Sequence, residues 1–447
     1  MEKNINTYIV LPECTTLELF KHYGVLTKEC GRTEVTKEIA LVIEKSVHGL
    51  KLKDALIRVQ ERDNGADLVK QKRLLLGILS LVYEGKLLLS ETPNIVSDKI
   101  IDKENVFYPQ GLHVELTRSC NLNCYYCYKN ADYHHHTVPN LETGKLLELL
   151  LDLKNKGLKV VELTGGEPLL HPKFMSILEF CCHNFSLVSI LTNGTLITKE
   201  FARWAQSYKD KIVFSISLDS FDKTEYEKKS GIIGSFQKAV DGIKILTYNG
   251  FFVRASMAVD EGNWKQIEQT LLFAKSLGVA KFTYSPIIPI GRANQLTVWN
   301  NTGVEEVASF EKYIVRKYHD FIHTLEGHSL DELLAPGGCG AGSRTFVMNE
   351  AGVVRMCATD EQYGIIGDLS KQTSDDVFSN PLCAIVDELV FPNANLCEGC
   401  NYLSFCVSCP IKTKRQIGLI GEENCRWLRN NVIAKKWYQL EKDRSTT

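Results

Sequence analysis

The sequence predicts an α/β fold: a partial barrel of six strand–helix units, a winged-helix-like domain ahead of it and a cysteine-rich domain behind it. Three observations predict this. Apolar strands alternate with helical patterns across residues 112–285. Three cysteines, Cys120, Cys124 and Cys127, follow directly on the first of those strands. Eight more fall from Cys339 to Cys425, seven of them in one spaced field with Cys383 apart from it.

The N-terminal domain is read over residues 1–95. Residues 7–11 suggest a strand and 24–27 a second, short one. Residues 36–47 carry helical apolar spacing (Ile39, Ala40, Val42, Ile43, Val47), with Thr33 or Thr36 as N-cap and Gly49 as the stop. Residues 52–61 and 67–84 give two more helices, and 86–89 a closing strand. Such a unit binds DNA, adds an extended peptide as a strand at its sheet edge, or is purely structural. It holds 14 Lys plus Arg against 13 Asp plus Glu, with no basic stripe, and is poorly equipped to neutralise phosphates. Its order and size resemble the recognition element at the N-terminus of enzymes that modify ribosomally made peptides.

Residues 90–105, polar with Pro93, read as a linker. The barrel domain is placed at 106–320, with strands at 112–116, 160–163, 187–191, 213–218, 252–258 and 282–285. Helical patterns lie between them at 141–153, 174–182, 199–208, 236–248 and 264–277. Right-handed parallel sheets of this kind keep their chemistry at the C-terminal ends of the strands. The third domain is placed at 335–430.

Cys120-Asn121-Leu122-Asn123-Cys124-Tyr125-Tyr126-Cys127 spaces three thiols by three and then two residues. That loop can offer thiolates to three corners of a cubane iron–sulfur cluster, leaving one iron without a protein ligand. Zinc is the simpler alternative, but it usually takes a fourth local ligand and CxxC pairs. The chain has 15 cysteines, and in a reducing compartment clustered thiols read as metal ligands. Cys14, Cys30, Cys181, Cys182 and Cys383 are scattered and read as buried free thiols.

The second strand ends in Leu163-Thr164-Gly165-Gly166-Glu167-Pro168. Two glycines let the backbone approach a ligand, and Glu167 puts a carboxylate at the rim. The third strand ends in Thr192-Asn193-Gly194-Thr195 and the fourth in Ser215-Ile216-Ser217-Leu218-Asp219; Arg254 lies within the fifth. The CxxxCxxC loop, with Tyr126 before its last cysteine, and the GGE segment one unit later resemble the radical S-adenosylmethionine (SAM) superfamily and its TIM-like barrel. The resemblance implies a 4Fe–4S cluster on Cys120, Cys124 and Cys127. It also implies the methionyl ammonium of SAM at Gly165, Gly166 and Glu167, and its ribose and carboxylate facing Asn193, Ser217 and Asp219. Arg254 is a candidate for the carboxylate, and Tyr126 with the backbone near Pro286 for the adenine. His134-His135-His136 lacks partners at ligand spacing and reads as solvated loop.

From Cys339 the spacing is x17 to Cys357, then Cys397-x2-Cys400-x5-Cys406-x2-Cys409-x15-Cys425, with Gly352 ahead of Cys357. This is similar to the SPASM extension of radical SAM enzymes, which carries two auxiliary 4Fe–4S clusters. In one departure, the family commonly has three residues between the cysteines matching Cys406 and Cys409. By that correspondence Cys397, Cys400, Cys406 and Cys425 complete one cluster. Cys339, Cys357 and Cys409 hold the other with one iron open; Cys383, in an apolar helical setting, is the candidate eighth ligand. Zinc is the runner-up metal for the CxxC pairs.

The whole layout resembles a radical SAM/SPASM peptide maturase of the kind that joins a cysteine sulfur of a precursor peptide to a carbon of another residue, making sactipeptide-type thioethers in bacteriocin biosynthesis. The resemblance implies three 4Fe–4S clusters and SAM, cleaved reductively to a 5′-deoxyadenosyl radical that takes hydrogen from carbon. It also implies a precursor peptide whose leader the N-terminal domain binds, and a reductant such as flavodoxin or ferredoxin. Rival enzyme readings are carbon–carbon crosslinking, epimerisation and sulfatase maturation, the last having little use for the N-terminal domain. The non-enzymatic rival is an iron–sulfur redox sensor that binds DNA. Lysine plus arginine number 52 against 54 acidic residues, a net charge of −2, which argues against nucleic acid or an anionic membrane as partner. The longest apolar run, 74–83, is short of the ~20 residues that span a bilayer, and the N-terminus lacks a signal-type stretch; a cytoplasmic protein is expected.

Overall fold

Two units, Met1–Phe107 and Tyr108–Thr447, make up the chain. The computed structural model describes residues 5–28, 31–60, 68–131, 141–295, 304–322, 340–359, 361, 363–406 and 408–444.

In the first unit β1 (Tyr8–Val10), β2 (Thr15–Leu19), β3 (Tyr23–Lys28) and β4 (Gly31–Thr36) precede α1 (Lys37–Val47), α2 (Leu52–Gln60) and α3 (Leu68–Tyr83). Thr36 caps α1 as expected, its side chain accepting from the Ile39 amide. The buried face of α1 (Ala40, Val42, Ile43, Val47) joins Leu52, Leu56, Leu75 and Ile78 of the other helices in one apolar cluster. The Ile9 amide donates to the buried Ser46 Oγ at 2.8 Å and ties β1 to that helix. Gly24 on β3 is required, because a Cβ there would stand 2.3 Å from that of Ala40. β5 (Leu88–Ser90) pairs antiparallel with β1.

The segment 90–105, read as a linker, is partly structural. Its β6 (Ile100–Asp102) pairs parallel with β2, Leu17 opposite Ile100, so the second sheet has the order β4-β3-β2-β6. Sequence reading also passed over β2 and β4. In β2 the buried positions alternate as Thr15, Leu17 and Leu19, but threonine and Glu18 dilute the apolar signal.

The second unit holds six parallel strands in sequence order: β7 (Gly111–Glu115), β8 (Val160–Thr164), β9 (Leu187–Thr192), β10 (Ile212–Ser217), β11 (Phe252–Val259) and β12 (Lys281–Pro286). Each crossover carries helix: α4 (Thr143–Asn155), α5 (Phe174–Asn184), α6 (Lys199–Ala205), α7 (Lys223–Ser230) with α8 (Ser235–Tyr248), and α9 (Ile267–Ser276). Apolar stripes such as Leu146, Leu149, Leu150 and Leu153 of α4 are buried. α7 was not anticipated. Its sequence, KTEYEKKS, is almost wholly polar, and it is held instead by an Asp222 cap accepting from the Glu225 amide at 2.9 Å.

The sheet does not end at β7. β13 (Thr345–Met348) adds parallel to it, Thr345 opposite Gly111, and β14 (Val353–Arg355) and β15 (Ile365–Asp368) follow antiparallel. The region placed in a separate domain at 335–430 therefore extends the barrel's own sheet and shares its compact unit. Short helices complete it, among them 381–387, 410–420 and 432–444. Cys181, Cys182 and Cys383 are buried, as read, but Cys14 is exposed in a turn at φ 58°. Cys30 and His134–His136 lie outside the described residues. No helix among the described residues is long and apolar enough to cross a membrane.

Candidate metal centre and ligand cavity

The cysteine loop leaves the C-terminal end of β7 and is pinned from several sides. The Asn123 amide donates to the Ser230 carbonyl (2.9 Å) and the Tyr125 amide to that of Lys229 (3.3 Å), both at the end of α7. Arg292, just beyond β12, gives Nε to the Cys124 carbonyl at 2.8 Å and its amide to the Cys127 carbonyl at 3.0 Å. The phenols of Tyr125 and Tyr126 donate to Asp260 and Asp219. So held, Cys120, Cys124 and Cys127 line one cavity of about 1000 Å³ of open space at the strand ends.

Tyr126, Gly165, Gly166, Asn193, Ser217 and Asp219 line the same cavity. Burial first, then neighbouring negative charge, pushes Cys120 up to about 11 and Cys124 higher still. Cys120 and Cys124 in that field become thiolates only when a cation arrives with them. Among the described residues no three His, Cys, Asp or Glu side chains converge tightly enough for a single metal ion. The three thiols share one lining around open space.

Two expected contacts differ. Glu167 does not present its carboxylate to the cavity. It is fully buried, and accepts from Thr192 Oγ1 (2.7 Å), the Asn193 amide (2.9 Å) and the Leu169 amide (3.2 Å). Burial pushes it up to about 7 despite those donors. Its work is to hold the Asn193 turn, whose side chain then reaches Asn121 Oδ1 of the cysteine loop at 2.8 Å. Arg254 is likewise outside the lining, its Nε and Nη2 on Ser215 Oγ at 3.2 and 3.1 Å. The glycines prove to serve the loop as much as a ligand. A Cβ at Gly165 would stand 2.5 Å from the Thr117 carbonyl oxygen, and one at Gly166 2.4 Å from that of Ser119.

Sequence reading missed a buried network of charge beneath the loop. Glu115, at the end of β7, accepts from Lys129 Nζ (2.7 Å) and from both Nη atoms of Arg355 (2.7 and 3.0 Å). Arg355 Nε in turn donates to the Cys357 carbonyl at 3.1 Å. Arg118 reaches Glu350 and Glu361, each at 2.6 Å. Each cation stands two residues from a cysteine: Arg118 from Cys120, Lys129 from Cys127, Arg355 from Cys357. A glutamate in so apolar a strand was the available signal.

Burial alone would raise Glu115, but Lys129 and then Arg355 hold its carboxyl below the usual range. The stability it contributes is therefore present at neutral pH and lost as pH falls through that lowered value. Glu115→Ala is expected to destabilise by about 3–5 kcal/mol, because the buried Arg355 loses the carboxylate it pairs with while Lys129 keeps only Glu350 and Glu361 at 3.2 Å. Denaturant unfolding checks it, and a change below about 1 kcal/mol would contradict the network's role.

In the C-terminal region Cys397, Cys400, Cys406 and Cys425 line one small cavity. Burial foremost, and then the other thiols, raises Cys397 to about 11 and Cys406 to about 12. Cys357 and Cys409 are not in that lining; both act on the buried Tyr363, whose phenol burial holds well above its ordinary value. Cys339 lies outside the described residues, and Cys383 is fully buried on the helix 381–387 between Leu382 and Ile385.

A parallel sheet with three thiols at the tip of its first strand, opening on a cavity at the strand ends, is the arrangement of a radical SAM enzyme, and comparison bears this out. The Radical SAM superfamily matches residues 114–274. The chain is 30% identical over 335 residues to the antilisterial bacteriocin subtilosin biosynthesis protein AlbA of Bacillus subtilis, covering 73% of each. It belongs to the radical SAM superfamily, whose members use SAM and a 4Fe–4S cluster. The sporulation killing factor maturation protein SkfB of the same organism is 22% identical over 256 residues, 57% of this chain and 62% of that one. In fold it is similar to Streptococcus suis SuiB bound to SAM: TM-score 0.58 over 91% of this chain and 96% of that one, at 16% identity.

Proposed function

We propose that this enzyme installs intramolecular thioether crosslinks, cysteine sulfur to carbon, in a ribosomally made precursor peptide. The observation that carries the reading is the similarity to the subtilosin biosynthesis protein along 73% of the chain, beyond the 161 residues of the superfamily match. When bound, the loop cluster and SAM supply a 5′-deoxyadenosyl radical able to take hydrogen from an unactivated carbon. Cys120, Cys124 and Cys127 hold the cluster. Gly165, Gly166, Asn193, Ser217 and Asp219, with Tyr126, border the place for SAM. Turnover of a cysteine-bearing precursor, read by mass and by thiol alkylation, tests the reaction.

The C-terminal region is read as a SPASM extension with two auxiliary clusters, three per chain in all. Convergence of Cys397, Cys400, Cys406 and Cys425 on one cavity supports the first. Cys339, Cys357 and Cys409 carry the second, with one iron left for a substrate thiolate, a soft partner for iron. Fully buried among apolar side chains, Cys383 suits helix core.

The first unit is read as a winged-helix-like domain that binds the leader of the precursor. β6 covers the β2 edge of its sheet, whereas β4 has one strand neighbour among the described residues, β3. An extended leader adds there as a further strand. Because β6 belongs to this unit, the informative deletion is of residues 1–107 rather than 1–95. It is expected to spare SAM cleavage and weaken leader binding about tenfold or more. Titration of a labelled leader against both proteins checks this; equal affinities would sink the recognition role.

A further inference from the structure

Tyr226 is a buried phenol that the reading above leaves without a task. It is 2% exposed and lines the cavity with Cys120 and Cys124. It sits one turn before Lys229 and Ser230, whose carbonyls hold the cysteine loop. Its ring packs edge-on against Phe236, centroids 5.5 Å apart. Its hydroxyl has no hydrogen-bond partner among the described residues.

The acceptors nearby are engaged. Asp219 takes the Tyr126 phenol and the Ala258 amide, Glu167 takes its three donors, and Ser230 Oγ pairs with Ser235. Burial first, then the charge of Asp219, holds the phenol well above its ordinary value, so it stays a donor at neutral pH. The hydroxyl belongs to the cavity lining, where it is open to whatever fills that space. An acceptor that arrives with the cavity's occupant can take that donor.

We propose that Tyr226 donates a hydrogen bond to a sulfur of the iron–sulfur cluster carried by Cys120, Cys124 and Cys127, and so raises the cluster's reduction potential. The reduced cluster bears one more negative charge, and a donor at its sulfur favours that state. The inference rests on the loop cluster alone and not on the peptide reaction.

Tyr226→Phe removes the oxygen and keeps the ring against Phe236. The reconstituted full chain is titrated potentiometrically without peptide, and the loop cluster is identified as the electron-paramagnetic-resonance signal that SAM perturbs. With iron content unchanged, the ratio of reduced to oxidised cluster at fixed potential is expected to fall about tenfold, or about 59 mV for one electron. Fluorotyrosine placed at position 226, a stronger donor of nearly the same shape, is expected to move the midpoint the other way and serves if the Phe variant loses iron. An unmoved midpoint in either loaded variant overturns the proposal. Weakened SAM binding with an unmoved midpoint overturns it too, and assigns the hydroxyl to SAM. No peptide is present, so a wrong assignment of the peptide chemistry leaves the result untouched.

Discussion

Replacing Cys120, Cys124 and Cys127 together by alanine is expected to remove about four of about twelve irons per chain and all formation of 5′-deoxyadenosine. The three thiols line one cavity, and none of them lines the cavity of Cys397, Cys400, Cys406 and Cys425. Iron at the C-terminal sites should therefore survive. The fold should survive as well, because the loop is pinned by backbone groups of Ser230 and Lys229, by Arg292 and by two tyrosines rather than by its thiols. Iron and sulfide assays with chromatography of the nucleoside products measure both halves. A triple variant that still cleaves SAM would show that the loop is not the catalytic centre.

The second large effect is on the product. The peptide is expected to leave turnover two hydrogens lighter per link. One hydrogen atom goes from the acceptor carbon to the adenosyl radical. The thiol loses a proton, and closing the carbon–sulfur bond releases one electron, for which the auxiliary cluster of Cys357 and Cys409 is the proposed acceptor. Epimerisation leaves the mass unchanged with deuterium taken up from solvent, and methylation raises it. Mass spectrometry separates these, and thiol alkylation separates the remaining pair. A lighter product whose cysteines all still alkylate would exclude a thioether and favour a carbon–carbon link.

The sequence by itself determined the alternation of strand and helix through the barrel, the helices of the first unit and the two fields of cysteine. These are local signals. A strand or an amphipathic helix is written in neighbouring residues, and a cysteine loop works because its thiols are three and two residues apart. Where the local signal was diluted, as in β2 with Thr15 and Glu18 or in the polar α7, reading failed although the element formed.

What only the tertiary structure decided lies between distant residues. β13 closes on β7, so the cysteine-rich region continues the barrel's sheet instead of standing apart. That pairing brings Arg355 to Glu115, 240 residues away, and ties the backbone of Cys357 to the strand that bears the loop. Arg292 reaches the Cys124 carbonyl across 168 residues. Glu167 turns from the cavity to its own neighbours at Thr192 and Asn193, where buried donors satisfy its carboxylate. In each case the partner is chosen by which strand edges meet and which polar groups burial strands together. No spacing within one segment records that choice.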